Sequence, residues 1–178
     1  MRFLDILFSI FGLILFFPLF ILIYFIGLFD TGFPLFIQKR VGLKQKKFML
    51  LKFRTMKIGT LSSGTHLINS SNITTFGHLL RKFKLDELPQ LWNVLIGDMS
   101  LVGPRPCLFN QRRLIKLRKK RGVFKVKPGI TGLAQVKQIT MANPALLAKT
   151  DLQMIKQLNL TYYFYYILAT VLIIFKKK

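Results

Sequence analysis

The sequence predicts an α+β protein that is mainly helical, with a small β-hairpin, a proline-broken N-terminal membrane helix and interfacial amphipathic helices. Three observations support this fold class. An uncharged run of 24 residues, Ile6 to Phe29, opens the chain. Two strand-like runs flank a glycine turn between Phe33 and Met56, and apolar residues recur at helical spacing further along. We expect a membrane helix at 1–30, a main domain at 31–160, and an interfacial helix with a basic tail at 161–178.

Composition and charge indicate a membrane-bound protein with a basic face. Hydrophobic residues make up 52% of the 178 residues, yet 28 Lys and Arg against 6 Asp and Glu give a net charge of +22. A soluble domain rarely combines these features, whereas a membrane protein with a cationic surface commonly does. The charge implies anionic partners, which include phospholipid headgroups, phosphorylated substrates and nucleic acid. The single cysteine, Cys107, excludes an intramolecular disulfide bond.

The N-terminal apolar run is long enough to cross a bilayer as one helix, because at ~1.5 Å per residue it would extend roughly 36 Å. Pro18 lies in the middle of the run and removes a backbone hydrogen bond. A kink there could turn the run back, so that both of its ends lie on one side of the membrane. Basic residues from Lys39 to Lys47 predict that the following chain is cytoplasmic, whichever of these two arrangements the run adopts.

The segment from Phe33 to Met56 is predicted to form the β-hairpin, with its turn at Gly42 to Lys44. Alternation along the second strand places Lys52 and Arg54 on one face. Two cations on one face could line a phosphate site, or they could form a solvated basic edge.

Later segments have helical periodicity. Phe76 to Phe83 predicts a short amphipathic helix, and Asn143 to Leu158 predicts a longer one. The strongly basic segment from Leu108 to Lys127 could lie on an anionic membrane surface or bind nucleic acid; its few aromatic residues favour the membrane. Tyr162 to Phe175 is aromatic and then aliphatic, which is typical of an interfacial helix.

Asp86 and Glu87 are the only adjacent pair of acidic residues in the chain. Pro89 is tolerated only in the first turn of a helix, so we expect a helix to begin near Asp86 to Leu88. The helix N-terminus and the upstream cations, Arg81 among them, would then favour an ionised Asp86, as a nucleophilic carboxylate requires. The alternative is that one of the acids merely caps the helix.

Gly103-Pro104-Arg105-Pro106 closes the same stretch. The two prolines fix the backbone on either side of Arg105 and predict a stiff loop that presents one guanidinium. A guanidinium can bind a phosphate through two parallel hydrogen bonds. The alternative is a rigid turn with a solvated arginine.

Four motifs give the chain a resemblance to a known family. They are QKRVG at 38–42, KFRTM at 52–56, the run LRKFKLDELPQLWNVLIGDMSLVGPRP at 80–106, and KPGITGLAQV at 127–136. Together and in this order they resemble the bacterial sugar transferase family, the small monotopic phosphoglycosyl transferases. The resemblance implies that the N-terminal helix is re-entrant, and that residues 31–160 form a catalytic domain on the cytoplasmic side of the bacterial inner membrane.

The resemblance also implies an activity. Family members transfer a sugar-1-phosphate from a UDP-sugar to a polyprenyl phosphate such as undecaprenyl phosphate, which starts the assembly of exopolysaccharide, lipopolysaccharide or capsule. It implies Asp86 as the nucleophile, Glu87 as the base, and Mg²⁺ bound near Asp86. The residues expected to bind substrate are Lys52, Arg54, Arg81, Pro104, Arg105, Pro106 and, by its resemblance to a further acidic position in the family, Asp151.

The chain departs from the family pattern at two places. Members usually carry Ser-Pro at the helix break, where this chain has Phe17-Pro18, and many carry an arginine soon after Val136, where this chain has Lys137 and Gln138. The motifs do not identify the sugar, and association into a dimer stays open. The alternatives to an active transferase are an inactive homologue and a membrane-anchored basic module that binds anionic lipid or nucleic acid.

Overall fold

The computed structural model describes residues 1–60 and 70–176, and all that follows concerns these residues. The chain is mostly helical with two small sheets, so the predicted α+β class with a hairpin is confirmed. The helices are α1 Arg2–Leu15, α2 Phe17–Thr31, α3 Thr75–Lys82, α4 Gln90–Ile96, α5 Arg112–Lys120, α6 Leu133–Val136, α7 Pro144–Gln157 and α8 Leu160–Lys176; the strands are β1 Leu35–Val41, β2 Lys47–Phe53, β3 Ser100–Val102 and β4 Gly129–Thr131.

The N-terminal apolar run forms the two helices α1 and α2, which are bent by 61° relative to each other. The break lies at Phe16, so Pro18 falls in the first turn of α2, where a missing N–H costs no helical hydrogen bond. Within the described residues no single helix is long and apolar enough to cross a membrane, but this bent pair meets that criterion together.

The predicted hairpin is confirmed. Strands β1 and β2 pair antiparallel, with Leu35 opposite Phe53 and Val41 opposite Lys47, and a 3₁₀ turn at Leu43–Gln45 joins them. Phe48, Leu50 and Phe53 are buried. Lys52 lies on the same face of β2 as Phe48 and Leu50, and its side chain is half-buried.

A second sheet of two short parallel strands, β3 and β4, was not predicted. Ser100 pairs with Gly129 and Val102 with Thr131. The backbones around Gly103 and Gly129 meet so closely that a Cβ on Gly129 would lie 2.0 Å from the Gly103 nitrogen. Only a residue without a side chain permits this approach, which brings the two turn-rich motifs of the sequence together.

Helix α8 belongs to the main core, in which Tyr163 and Tyr166 are buried with Phe48, Val94 and Met99. Its opposite face is open, since Leu168 is 62% and Leu172 is 67% exposed. The helix therefore has one face on the protein core and one apolar face turned outward. Lys177 and Lys178 of the predicted basic tail lie outside the described residues.

Both ends of the α1–α2 pair are bound to the same globular body. Asp5 is buried in α1 and accepts hydrogen bonds from Ser100 Oγ (2.9 Å), the Leu101 N–H (3.0 Å) and Tyr163 Oη (2.8 Å). At the far end of α2, Asp30 accepts a hydrogen bond of 2.7 Å from the hydroxyl of Thr74, the N-cap of α3. The start of α1 and the end of α2 are thus both hydrogen-bonded to the rest of the described chain.

Candidate active site

The adjacent acids lie in a 3₁₀ turn, Leu85–Glu87, immediately before α4. Lys84 adopts a left-handed conformation with φ of 59°, and this reverses the chain after α3. The α-helix begins only at Gln90, so the prediction that it starts at Asp86 to Leu88 was wrong by a few residues. Asp86 and Glu87 are each only 8% exposed, which is unusual for carboxylates.

Helix α4 is fixed to the hairpin by Asn93. Its Nδ2 donates to the Met49 carbonyl oxygen (2.7 Å) and its Oδ1 accepts from the Leu51 N–H (2.9 Å), as a neighbouring strand would. These two bonds set the position of the acidic turn relative to β2, and therefore relative to Lys52 on that strand.

Lys52 and Arg81 both interact electrostatically with Asp86. Burial lowers the pKa of Lys52 to about 8, although Asp86 raises it in part. Burial also lowers the pKa of Arg81, against the opposing effects of Asp86 and Glu87, and Arg81 Nε donates to Thr55 Oγ1 (2.8 Å). The structure therefore brings Lys52 and Arg81 together with the acidic pair, as the sequence predicted.

Burial and the neighbouring Glu87 raise the pKa of Asp86 to about 6, and Lys52, Arg105 and Lys84 only partly oppose this. The sequence predicted that the helix N-terminus and nearby cations would favour an ionised Asp86. The cations do lower its pKa, but desolvation, which the prediction did not consider, is the larger effect. A pKa near 6 still leaves the carboxylate mostly ionised at neutral pH. It also makes Asp86 more basic, and so a better nucleophile, than an ordinary aspartate.

Glu87 behaves in the opposite way. Burial alone would raise its pKa, but the ion pair with Arg105, together with Lys84 and Lys52, lowers the pKa to about 2. Both terminal nitrogens of Arg105 contact the Glu87 carboxylate, and the Arg105 side chain is 37% exposed. Arg105 is thus partly exposed and ion-paired, so the alternative of a rigid turn with a solvated arginine is wrong.

The Pro104–Pro106 loop is stiff because each of its carbonyl oxygens accepts a hydrogen bond. The Gly129 N–H donates to Pro104 (3.0 Å), Arg118 Nη1 to Arg105 (2.8 Å) and Arg40 Nη1 to Pro106 (3.1 Å). Pro104 and Pro106 are buried, so they hold the loop and leave Arg105 as its accessible side chain.

Asp151 does not reach the acidic pair directly. It is buried on α7 and accepts a hydrogen bond of 2.9 Å from Arg118 Nε, within an ion pair to the same guanidinium. Arg118 also donates to the Arg105 carbonyl oxygen, so Asp151 supports the Pro104–Pro106 loop through Arg118. It does not line a substrate surface as the sequence predicted.

Arg54 also lies apart from the acids. Its Nε donates to the Phe33 carbonyl oxygen (2.8 Å) and its guanidinium stands 5.1 Å from the centre of the Phe36 ring. Lys52 contacts the same ring, at 5.2 Å, so the predicted common face exists. Of the two cations, Lys52 is the one with a pKa that responds to Asp86.

A cavity of about 510 Å³ opens beside the acidic turn. Its lining includes the charged residues Lys84, Glu87 and Arg105. The other lining residues are mostly apolar and come from α4, from the break between α1 and α2, and from α8. The site therefore combines two buried carboxylates, several cations and a mostly apolar cavity with a few charged lining residues.

Comparison with known proteins agrees with this chemistry. The family model for bacterial sugar transferases matches residues 1–177. The chain belongs to the bacterial sugar transferase family. Its relatives include EpsL of Bacillus subtilis (strain 168), an uncharacterized sugar transferase that is 50% identical over 106 residues, which are 59% of this chain and 52% of the relative.

Two relatives of this chain are named for their substrates. The UDP-glucose:undecaprenyl-phosphate glucose-1-phosphate transferase of Xanthomonas campestris pv. campestris is 41% identical over 126 residues, 66% of this chain and 25% of the relative. The UDP-N-acetylgalactosamine-undecaprenyl-phosphate N-acetylgalactosaminephosphotransferase of Aeromonas hydrophila is 38% identical over 143 residues, 76% and 33% respectively. The chain thus spans between a quarter and about half of the length of these three relatives.

A magnesium ion would have one free protein ligand at this site. Among residues 1–60 and 70–176 there is no group of three His, Cys, Asp or Glu side chains that could hold a metal alone. Mg²⁺ in phosphoryl-transfer sites is commonly bound by one or two carboxylates together with substrate phosphates. Asp86 fits that arrangement, whereas the Glu87 carboxylate is engaged by Arg105.

Sequence reasoning missed two arginines of the sugar transferase site. Arg40 holds the Pro106 carbonyl, and burial and then Arg105 lower its pKa to about 10. Arg118 was grouped with the basic surface of α5, but it is only 1% exposed. The QKRVG motif was the available signal for Arg40. For Arg118 the signal was its position on the apolar side of α5, four residues after Leu114.

Proposed function

We propose that this sugar transferase moves a sugar-1-phosphate from a UDP-sugar to a polyprenyl phosphate, undecaprenyl phosphate in bacteria, and so starts the assembly of a surface glycan. The observation that carries the proposal is the buried Asp86, which interacts electrostatically with Lys52 and Arg81 and whose chain neighbour Glu87 lines a cavity that suits an amphipathic phosphate. The substrates named for the relatives from Xanthomonas and Aeromonas support the same pair of reactants.

In the first step a carboxylate oxygen of Asp86 attacks the sugar-linked phosphorus of the UDP-sugar. A new P–O bond forms to Asp86, the bond from that phosphorus to the bridging oxygen breaks, and UMP leaves with the electron pair. Lys52 and Arg81 favour this step because they offset the negative charge of the diphosphate beside a carboxylate. The raised pKa of Asp86 supports its role, since a more basic carboxylate is the better nucleophile.

In the second step an oxygen of the lipid phosphate attacks the same phosphorus, and Asp86 leaves as a carboxylate. Glu87 would accept any proton that the lipid phosphate still carries. Its pKa of about 2 makes it a weak base while Arg105 is bound to it. A lipid phosphate that takes over Arg105 removes that partner, and the pKa of Glu87 then rises because burial remains.

Magnesium belongs to the proposed donor complex. Bound by Asp86 and the donor phosphates, it would supply charge neutralisation as the phosphate bond breaks. This chain's own contribution is the placement of Asp86, Lys52 and Arg81 around that position.

We further propose that the α1–α2 pair is re-entrant at the cytoplasmic face of the bacterial inner membrane. Asp5 and Asp30, near its two ends, are both hydrogen-bonded to the rest of the protein, which supports re-entry over a transmembrane span. Phe11, Ile14, Phe17 and Phe25 are more than half exposed. Such a continuous apolar surface is typical of a lipid contact.

The rival proposal is a membrane-anchored basic module that binds anionic lipid. It explains the net charge of +22 and the exposed apolar helices. It gives no reason to bury Asp86 and Glu87, because burying carboxylates costs free energy and weakens binding to anions.

The test is UMP release from a panel of UDP-sugars by the protein in vesicles that contain undecaprenyl phosphate and Mg²⁺. We expect release with at least one donor, and loss of release by a factor of ~10³ or more in Asp86→Asn, as for a covalent nucleophile. Asp98→Asn makes the same chemical change outside the site and should retain activity. Equal activity in Asp86→Asn and wild type would overturn the nucleophile assignment.

A further inference from the structure

We propose that the C-terminal helix α8 forms the wall that binds the first isoprene units of the lipid acceptor, and so determines which prenyl phosphates the enzyme accepts. The inference rests on the proposed function, since it names how the acceptor of that reaction is held. It concerns the cavity of about 510 Å³ beside Glu87.

The charged lining residues of the cavity suit a phosphate. Lys84 and Arg105 line it together with Glu87, and the Arg105 side chain is partly exposed. Glu87 is the chain neighbour of the proposed nucleophile, so we expect a phosphate held by these cations to lie near Asp86. Charge complementarity therefore fixes which end of an amphipathic ligand enters first.

The apolar length of the cavity suits a hydrocarbon chain. Leu88 and Leu91 line it, together with Val171, Ile173 and Ile174 of α8. A volume of about 510 Å³ lies in the range of ~300–1,000 Å³ that holds a small ligand. It can enclose the phosphate and the beginning of a prenyl chain, and the rest of a long chain would continue into the lipid.

Helix α8 is held at this place by specific contacts. The Thr131 and Thr170 hydroxyls are hydrogen-bonded to each other, and Thr170 Oγ1 also donates to the Tyr166 carbonyl oxygen (2.9 Å). Tyr163 and Tyr166 bury the preceding turns in the core. The wall is thus a fixed part of the site, and a side chain that is enlarged on it must reduce the space for the ligand.

A second cavity of about 510 Å³ lies at the bend between α1 and α2. It does not combine charged residues for a phosphate with apolar residues for a prenyl chain. It is lined by apolar and aromatic residues such as Phe20, Phe53 and Trp92, and none of the lining residues within 1–60 and 70–176 is charged. An unpaired phosphate would be costly there. The prenyl phosphate is therefore assigned to the cavity beside Glu87.

The first experiment compares Ile173→Trp with Leu172→Trp, a control that adds the same side chain to the outward face of the same helix. In vesicles we expect Ile173→Trp to raise the KM for undecaprenyl phosphate by about tenfold or more, because a few methylene groups lose their apolar contact. The effect should be of similar size for farnesyl phosphate, which also has the first isoprene units that α8 is proposed to contact. Leu172→Trp should keep the wild-type KM, and thermal unfolding of both variants checks that they fold.

The donor half-reaction separates the two proposals. Exchange of labelled UMP with the UDP-sugar needs no lipid acceptor, so its absence from wild type would contradict the proposed function itself. If wild type performs this exchange but both tryptophan variants have the same KM for undecaprenyl phosphate, only the role of α8 is overturned.

A second measurement uses the unaltered protein. A polyprenyl phosphate with a diazirine on its first isoprene units is photolysed in vesicles, and the labelled peptides are mapped by mass spectrometry. We expect labelling of residues 171–174 that undecaprenyl phosphate suppresses. Labelling confined to the second cavity, around Phe20 and Trp92, or labelling that excess phospholipid suppresses equally well, would overturn the assignment.

Discussion

At the scale of single residues, Asp86 and Glu87 are chain neighbours with the same burial, yet their pKa values shift in opposite directions. Burial dominates for Asp86, and the ion pair with Arg105 dominates for Glu87. Two adjacent carboxylates thereby acquire different chemistry from different partners. Asp86, the more basic carboxylate, suits attack on phosphorus. Glu87 forms an ion pair with Arg105, the arginine that we propose binds the lipid phosphate.

Lys52 provides a prediction about pH. Burial lowers its pKa to about 8, so the free enzyme loses this positive charge as the pH rises through 8. We expect kcat/KM for the UDP-sugar to fall by roughly tenfold per pH unit above that point, since kcat/KM reports ionisations of the free enzyme. Steady-state kinetics from pH 6 to about 10 measures this.

Lys52→Arg is the matching control for the pH prediction, because arginine stays protonated throughout that range. Its activity should be lower at neutral pH, since the guanidinium has a different shape, but the alkaline fall should disappear. An unchanged alkaline fall in Lys52→Arg would show that another group is responsible.

The buried pair of Asp151 and Arg118 provides a second prediction. Asp151→Asn leaves Arg118 buried without its counter-charge, so we expect the free energy of unfolding to fall by about 3–5 kcal/mol. The double change Arg118→Met with Asp151→Leu should recover most of this stability, as measured by chemical unfolding.

Activity distinguishes a merely structural role for this pair from a positioning role. The double variant still lacks the hydrogen bond to the Arg105 carbonyl, so we expect its KM for the lipid acceptor to stay raised although it is stable. Full activity in the stable double variant would mean that the pair only supports the fold.

At the scale of elements, the contact between β3 and β4 determines where Arg105 lies. A Cβ on Gly129 would lie 2.0 Å from the Gly103 nitrogen and 2.5 Å from its Cα, so Gly129→Ala must push the two strands apart. We expect a loss of several kcal/mol in the free energy of unfolding and a strong loss of transfer.

Gly12→Ala serves as its control. Its new Cβ would meet only the Leu91 side chain, at 3.0 Å, and that side chain can move. Thermal unfolding should show a much smaller effect there. If Gly129→Ala is equally well tolerated, the close backbone contact is not what fixes the loop.

The hydrogen bonds of Asp5 join α1 to β3 and α8. We expect Tyr163→Phe to lower the free energy of unfolding by about 1.5–3 kcal/mol, because it removes one donor from a buried carboxylate. Tyr162→Phe, at a residue that is 39% exposed, is the matched control and should change little. Chemical unfolding in micelles measures both.

Some elements of the fold could be predicted from the sequence, and others could not. The hairpin and the amphipathic helices could be predicted, because alternation and helical spacing are local properties. The pairing of β3 with β4 could not, since each strand has three residues and a parallel pair leaves no local turn signal.

The same reasoning applies to the site. The motif residues Asp86, Glu87, Lys52, Arg81 and Arg105 could be predicted, and the structure brings them together. The partners of Asp5 and Asp151 could not, because they lie 158 and 33 residues away in the sequence. The direction of the Asp86 pKa shift depends on burial, and the sequence does not state which polar residues are buried.

At the scale of the whole molecule, the proposed topology keeps the N-terminus and the catalytic body on one side of the membrane. Cysteines placed before Met1 and at the exposed Asn110 should therefore label alike with a membrane-impermeant maleimide, only after spheroplasts are lysed. The native Cys107 is buried and should contribute little background. Labelling of the N-terminal cysteine in intact spheroplasts would indicate a transmembrane span.

The most direct test of the account is to capture the covalent intermediate. The protein in vesicles without lipid acceptor is mixed with its UDP-sugar and Mg²⁺, quenched, and analysed by intact mass and peptide mapping. We expect a sugar-phosphate adduct on the peptide that contains Asp86, formed together with UMP and discharged when undecaprenyl phosphate is added. UMP release that occurs only with the acceptor present, with no adduct at any time, would contradict the account and indicate direct transfer between the two substrates.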